Sequence, residues 1–193
     1  IKMMSGCFHF CGQGNHAASK IAGLGLAHQA ELTLTDILQL DFSRYALVCL
    51  SAGESGINQA QPLIDEYVGL VSGFLSAGAN HILNTLWIVD DIASTLLMIQ
   101  FHRFLKESLS PMQALRKAQA WLSTITHTEL MDWYRDLATQ LAIADPSSSH
   151  VEKLRHLAQA ATHEADPEDT PYAHPYYWAG FTITGKVTHE EPS

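Results

Sequence analysis

Leu47 to Gly56 reads LVCLSAGESG: an apolar run, Leu47 to Leu50, that breaks off into small residues with a polar tip. A short aliphatic run bounded by Gly and Ser is the signature of a buried strand that hands over to a tight loop at one edge of a sheet. Cys7 to Gly14, CFHFCGQG, repeats the pattern. Two such strands predict an α/β sheet, and in sheets of that class sites gather outside the carboxyl ends of the strands. The loops after these two runs are therefore where chemistry is expected.

Outward from the two strands, the chain alternates helical and extended patterns. Asn15 to Ala30 is polar and His-containing, with Leu24 and Leu26 as a short apolar patch. Leu32 to Ile37, LTLTDI, starts a short helix with Thr33 or Thr35 as its N-cap. Arg44 and Tyr45 lead into the Leu47 strand. Ile64, Val68, Val71 and Leu75 recur at helical spacing and predict a helix over Pro62 to Ser76, ended by Gly78. Gly69 and Gly73 fall four apart on it and would allow close approach to the sheet. Asn80 to Val89, NHILNTLWIV, reads as the next strand, with Asp90 and Asp91 at its exit.

A wide apolar stripe, Leu96, Leu97, Ile99, Phe101, Phe104 and Leu105, places a helix from about Ile92 to Glu107. Ser110-Pro111-Met112-Gln113 is a capping box with Pro at the first helical position, ahead of a buried face of Leu115, Ala118, Leu122 and Ile125. Two further helical patterns, Glu129 to Ile143 and His150 to Ala165, form a hairpin broken by Asp145 to Ser149. Their expected inner faces are Leu130, Trp133, Leu137 and Leu141, and Val151, Leu154, Leu157 and Ala161. Pro171 to Pro175 is a rigid entry into Tyr176 to Ile183, an aromatic and β-branched strand. Residues 187–193 are expected to be a flexible tail.

The 193 residues fit one domain with a sizeable core. A net charge of -9 and the lack of any Lys/Arg run argue against nucleic acid, whose binding rests on phosphate neutralisation. A basic peptide or protein segment is the better-matched partner. No uninterrupted apolar run approaches about 18 residues and no signal peptide opens the chain, so no membrane contact and a cytoplasmic location are expected. Cys7, Cys11 and Cys49 lie in apolar runs and read as buried reduced thiols. No Cys/His spacing suggests a zinc site, and His150, His156 and His163 read as solvated helix residues, so no metal and no cofactor are expected.

The motifs, taken together, resemble the CHAT domains, caspase-like cysteine peptidases related to separase. The resemblance is carried by His9 to Gly14 (HFCGQG), Leu32 to Ile37, Leu50 to Gly56, Asp65 to Asp91, Leu97 to His102, Pro111 to Leu122 and His174 to Gly185, in the family's order. It implies a CHAT-like domain over residues 1–186 with a caspase-like, mostly parallel sheet flanked by helices. It also implies a small hairpin in the Asn15 to Ala30 region, a helical insertion over about 129–165 before the last strand, and the lack of the N-terminal strands.

The family's catalytic His falls on Gln13 and its catalytic Cys on Gly53. Cysteine attack needs a thiolate beside an imidazole that holds its proton. Gln has no titratable nitrogen and Gly no side chain, so the resemblance implies a peptidase fold without its dyad. Ser51 and Ser55 flank Gly53 and His9 and His16 flank Gln13, but Ser51 lies about two residues (~6.6 Å) deeper in its strand, and a turn or core hydroxyl is the simpler reading. Gly14, Ser51 and Glu54 would line what remains of the site, and Gly53 and Gly14 would keep backbone N–H groups near where an oxyanion would sit. Trp87 would supply an apolar wall. Asp90 or Asp91 would accept a basic side chain, or else would cap the helix that follows. The expected function is a pseudo-peptidase that binds a peptide or protein and regulates or scaffolds. The alternative is an active cysteine or serine peptidase that uses a residue outside the aligned dyad or is completed by a missing segment.

Overall fold

A computed structural model describes residues 6–12, 23–25, 31–52, 61–160 and 166–185. Strands β1 (Cys7–Gly12), β4 (Leu47–Ala52), β5 (His81–Thr85) and β6 (Phe181–Gly185) form one sheet in the order β1-β4-β5-β6. The first three are parallel and β6 is antiparallel to β5. Between β1 and β4 lie a small antiparallel ribbon, β2 (Gly23–Gly25) with β3 (Glu31–Thr33), and the short helix α1 (Leu34–Gln39). Helices α2 (Gln61–Ser76), α3 (Asp91–Lys106), α4 (Pro111–Thr124), α5 (His127–Ala144) and α6 (Ser149–Ala160) complete the chain. The result is a mixed, mostly parallel sheet flanked by helices.

Strand alternation sends Phe8 and His9 to opposite faces of the sheet. Phe8 meets Phe74 of α2 at a ring separation of 6.1 Å, and His9 meets His102 of α3 at 5.4 Å. Helices therefore cover both faces, as parallel strands require. On the α2 side the core gathers Phe10, Val48, Leu50 and Ile82 from the sheet with Ile37, Phe42, Leu70, Val71 and Phe74. Phe74 is fully buried and stands edge-on to Phe42 at 4.8 Å, a favourable aromatic geometry.

Local signals set most helix ends. Thr33 caps α1, reciprocated by Asp36, so of the two candidate threonines it is Thr33 that closes the box. Ser110 and Gln113 form the box ahead of α4. Gly78 leaves α2 at φ +102°, a conformation open to Gly at little strain.

The inner faces of several helices are rotated from the expected ones. Val68 is 60% exposed, and among the described positions of α2 the buried ones are Leu70, Val71, Gly73 and Phe74. Gly73 does approach a neighbour closely, but the neighbour is Leu34 of α1 rather than the sheet, and Gly69 faces open space. In α5 the buried positions are Leu130, Tyr134 and Ala138, a strict i, i+4, i+8 line, while Trp133, Leu137 and Leu141 are half-buried beside it. In α6 Val151 and Ala158 are buried and Leu157 lies outside.

Two strands also differ from expectation. The fifth is His81–Thr85, shorter than Asn80 to Val89: the Leu86 N–H still donates to the Gly180 carbonyl in the register shared with β6, and by Asp90 the chain has turned to cap α3. The sixth is Phe181–Gly185. Tyr176, Tyr177 and Trp178 precede it, in and after a 3₁₀ turn over Pro175–Tyr177. Pro175 starts that turn, and the Trp178 carbonyl then accepts from Phe181 N and from the Gln119 side chain, so it is not available to a ladder.

The chain divides into two compact units, residues 1–119 with 176–193 and residues 120–175. The second contains the antiparallel pair α5 and α6. Thr126 caps α5 and Glu129 reciprocates, while His127 N and Thr128 N donate to the Asp169 and Pro167 carbonyls. Among the described residues no helix is long and apolar enough to cross a membrane.

Candidate functional site

Gly12 and Ala52, the last residues of β1 and β4, are register partners at the carboxyl ends of adjacent parallel strands. Gln13 and Gly53 follow them in the sequence. Gln13, Gly14, Gly53 and Glu54 lie outside the described residues, as does the side chain of Ser51, whose backbone pairs with Cys11. What the described part provides is the pair of strands that ends one residue short of positions 13 and 53.

The next strand, β5, delivers Trp87 and the acidic pair. Trp87 is 39% exposed and fixed in place: its indole N–H donates to the Tyr176 carbonyl at 3.0 Å. The ring lies so close to Gly180 that a Cβ there would fall 2.8 Å from Cε2. Leu86 N–H also donates to the Gly180 carbonyl, at 2.8 Å. A half-exposed indole held by a hydrogen bond and by backbone contact presents a rigid apolar surface, with Leu86, Ile92 and Tyr176 also exposed.

Asp90 is the N-cap of α3: its Oδ1 accepts from Ala93 N at 2.9 Å. Asp91 is exposed in the first turn of the same helix, where the macrodipole favours a carboxylate. The capping account thus describes Asp90, and Asp91 is the member that faces solvent.

Gln119 was not anticipated by the sequence reading. Its Nε2 donates to the carbonyls of Trp178 at 2.9 Å and Phe181 at 3.0 Å, tying α4 to the turn that carries the aromatic residues. The signal available was a glutamine within the Pro111 to Leu122 motif, and nothing in spacing shows where its amide points. Asn84, buried in β5, accepts from the Thr182 hydroxyl of β6 at 3.2 Å.

On the α3 side of the sheet, β1 carries Cys7 and His9. Cys7 is exposed, contrary to expectation, because it opens a strand at the end of the described sheet; Cys49 is fully buried. Their sulfurs stand 4.0 Å apart, and no disulfide joins them. The hydrogen bond with Cys49 lowers the Cys7 pKa, against a smaller upward push from burial. His9 is held below the ordinary histidine value of 6.5 by desolvation. His102 is lowered by desolvation first, then by His9 and Lys106. The side chain of Cys11 lies outside the described residues. His150 and His156 are exposed on α6, and His163 is outside the described set. Among the described residues no three His, Cys, Asp or Glu side chains converge to hold a metal ion.

Parallel strands with helices on both faces define an α/β protein of the doubly covered class. Within that class the chain belongs to the CHAT domain family, whose profile matches residues 4–186. The family is related to caspase-like peptidases. No curated protein and no solved structure matches the chain.

Proposed function

We propose that this chain is a CHAT-like pseudo-peptidase that binds an extended peptide or protein segment without cutting it. The observation that carries the proposal is the pair of residues at the ends of β1 and β4: Gln13 follows Gly12 and Gly53 follows Ala52, in place of a base and a nucleophile. Without a thiol there is no thiolate, and without an imidazole there is no base to generate one. The binding half of the proposal is supported by the fixed indole of Trp87 and by the exposed carboxylate of Asp91, which suits a basic side chain. An exposed ion pair contributes only about 0.2 to 1 kcal/mol, so main-chain pairing with a strand edge and burial against Trp87 must supply most of the affinity.

Incubation with a peptide library followed by mass spectrometry tests the catalytic half. No cleavage is expected from the unmodified chain, and turnover by it overturns the proposal. The double variant Gln13→His with Gly53→Cys asks whether the scaffold still positions a dyad. For the binding half, Asp91→Asn should weaken an Arg-containing peptide while leaving the melting temperature nearly unchanged. Asp90→Ala should do the reverse, because it removes the acceptor of the Ala93 N–H and with it a cap worth about 1 kcal/mol.

A further inference from the structure

We infer that Gln119 of α4 and Gly180 together set the orientation of the Trp87 indole, Gln119 as a positioning residue that acts through residues 176–181; this rests on the reading of Trp87 as part of a peptide-binding surface. Trp87 is gripped from two directions by that one segment. Its indole N–H donates to the Tyr176 carbonyl at 3.0 Å, and its ring lies against Gly180, where a Cβ would fall 2.8 Å from Cε2, 3.0 Å from Nε1 and 3.1 Å from Cδ2. Separations that short force something to move, and the Gly180 backbone is held. Leu86 N–H donates to its carbonyl at 2.8 Å, next to the Thr85–Phe181 pair of the β5–β6 ladder. Gly180 is not among the glycines of positive φ, so its backbone places no demand for glycine; the indole does. A side chain at position 180 would be accommodated by turning the indole away.

The same segment is tied to α4 by the Gln119 amide. Nε2 donates to the Trp178 carbonyl at 2.9 Å and to the Phe181 carbonyl at 3.0 Å, on either side of Gly180 in the sequence. A primary amide carries two N–H donors on one nitrogen, and two carbonyls use both, so neither Met nor ionised Glu, of similar length, can replace it. Both bonds are partly buried, and a carbonyl deprived of its donor there must find water or shift. The path of contact runs from α4 to the Trp178 and Phe181 carbonyls, from these to Gly180 and Tyr176, and so to the indole. An indole held at a set angle offers its face to the planar guanidinium of an arriving arginine, and it loses little rotamer freedom when the peptide binds. That is how positioning becomes affinity.

The test reads the indole and the peptide separately. In the nitrogen-labelled chain the Trp87 indole N–H resonance is assigned by its loss in Trp87→Phe. Gln119→Met and Gly180→Ala should each shift that resonance and speed its exchange with water, while amides of β4 keep their protection. A purely structural Gln119 would lower the melting temperature and leave the resonance in place, and that result overturns the inference. Gly180→Ala should lower the melting temperature of the unmodified chain but not of Trp87→Ala, where the space is vacant. An equal loss in both backgrounds overturns it as well. Affinity is read by fluorescence anisotropy with an extended, Arg-containing peptide. Gln119→Met should weaken binding about tenfold, the scale set by the two hydrogen bonds it removes. Gly180→Ala should weaken it too, and neither should add to the loss in Trp87→Ala. Unchanged affinity beside a displaced indole overturns the link to binding. If the unmodified chain does not bind the peptide and the resonance still moves in both variants, the positioning stands and the peptide-binding reading falls.

Discussion

The sheet unit and the helical hairpin of residues 120–175 are organised by different physics. In the sheet unit, Leu47, Val48, Cys49, Ile82, Leu83 and Phe74 are sealed from water, and each is surrounded by residues distant in sequence. Among the described residues of the hairpin the buried ones are Leu122 and Ile125 ahead of α5, Leu130, Tyr134 and Ala138 of α5, and Val151 and Ala158 of α6, while Ile143 stands 79% exposed. What the hairpin has instead is local chemistry. It has a complete capping box at Thr126, an Asp145 side chain that accepts from Ser147, and i, i+3 ion pairs on both helices. The comparison teaches that the sheet unit is held by long-range burial, and the hairpin by short-range hydrogen bonds beside a smaller core.

The largest expected effect breaks the first arrangement. Phe74→Ala removes a fully buried ring from the cluster with Phe8 and Phe42 and should cost about 3 to 5 kcal/mol. Denaturant unfolding should show the midpoint fall with little change in slope. A loss below about 1 kcal/mol would mean that the sheet unit is not governed by its core.

Thr126→Ala attacks the hairpin at its cap. It removes the acceptor of Glu129 N and should cost about 1 kcal/mol, read as faster hydrogen exchange at the start of α5 while amides of β4 and β5 keep their protection. Uniform loss of protection would blur the contrast between the units.

Acid sharpens it by direction rather than by size. His9 and His102 have pKa values lowered in the folded chain, so folding disfavours their protonation. Their contribution to stability is present above the unfolded histidine pKa of about 6.5 and is lost as pH falls from there through the folded values. Melting temperature should therefore drop below about pH 6.5, and His102→Gln should flatten that drop. Because both rings are partly in water, the effect is expected to be small.

Arg155→Ala should do least. Its pair with Glu152 is short, 2.6 Å, but the side chains are 57% and 67% exposed, and such pairs contribute about 0.5 kcal/mol or less. A larger loss would show that surface pairs hold the hairpin after all.

The sequence by itself determined the element order, the α/β class, the family motifs and the capped helix starts. The reason is that strand runs, capping boxes and helix-ending glycines act over three or four residues and are written in adjacent letters. It also gives Gln at position 13 and Gly at position 53, the residues on which the proposed loss of the dyad rests. Only the tertiary structure decided which helix stripe turns inward, as with Val68 outside and Leu70 inside, and Tyr134 rather than Trp133 in α5. Only it showed that Asp90 is spent on a cap, that Tyr176 and Gly180 hold Trp87, and that Cys7 and Cys49 meet. Apart from the Asp90 cap, whose partner Ala93 is three residues on, each of these depends on partners dozens of residues away or on a rotation of the helix by a fraction of a turn. Periodicity fixes the spacing of an apolar face, but the neighbour that covers it fixes its direction.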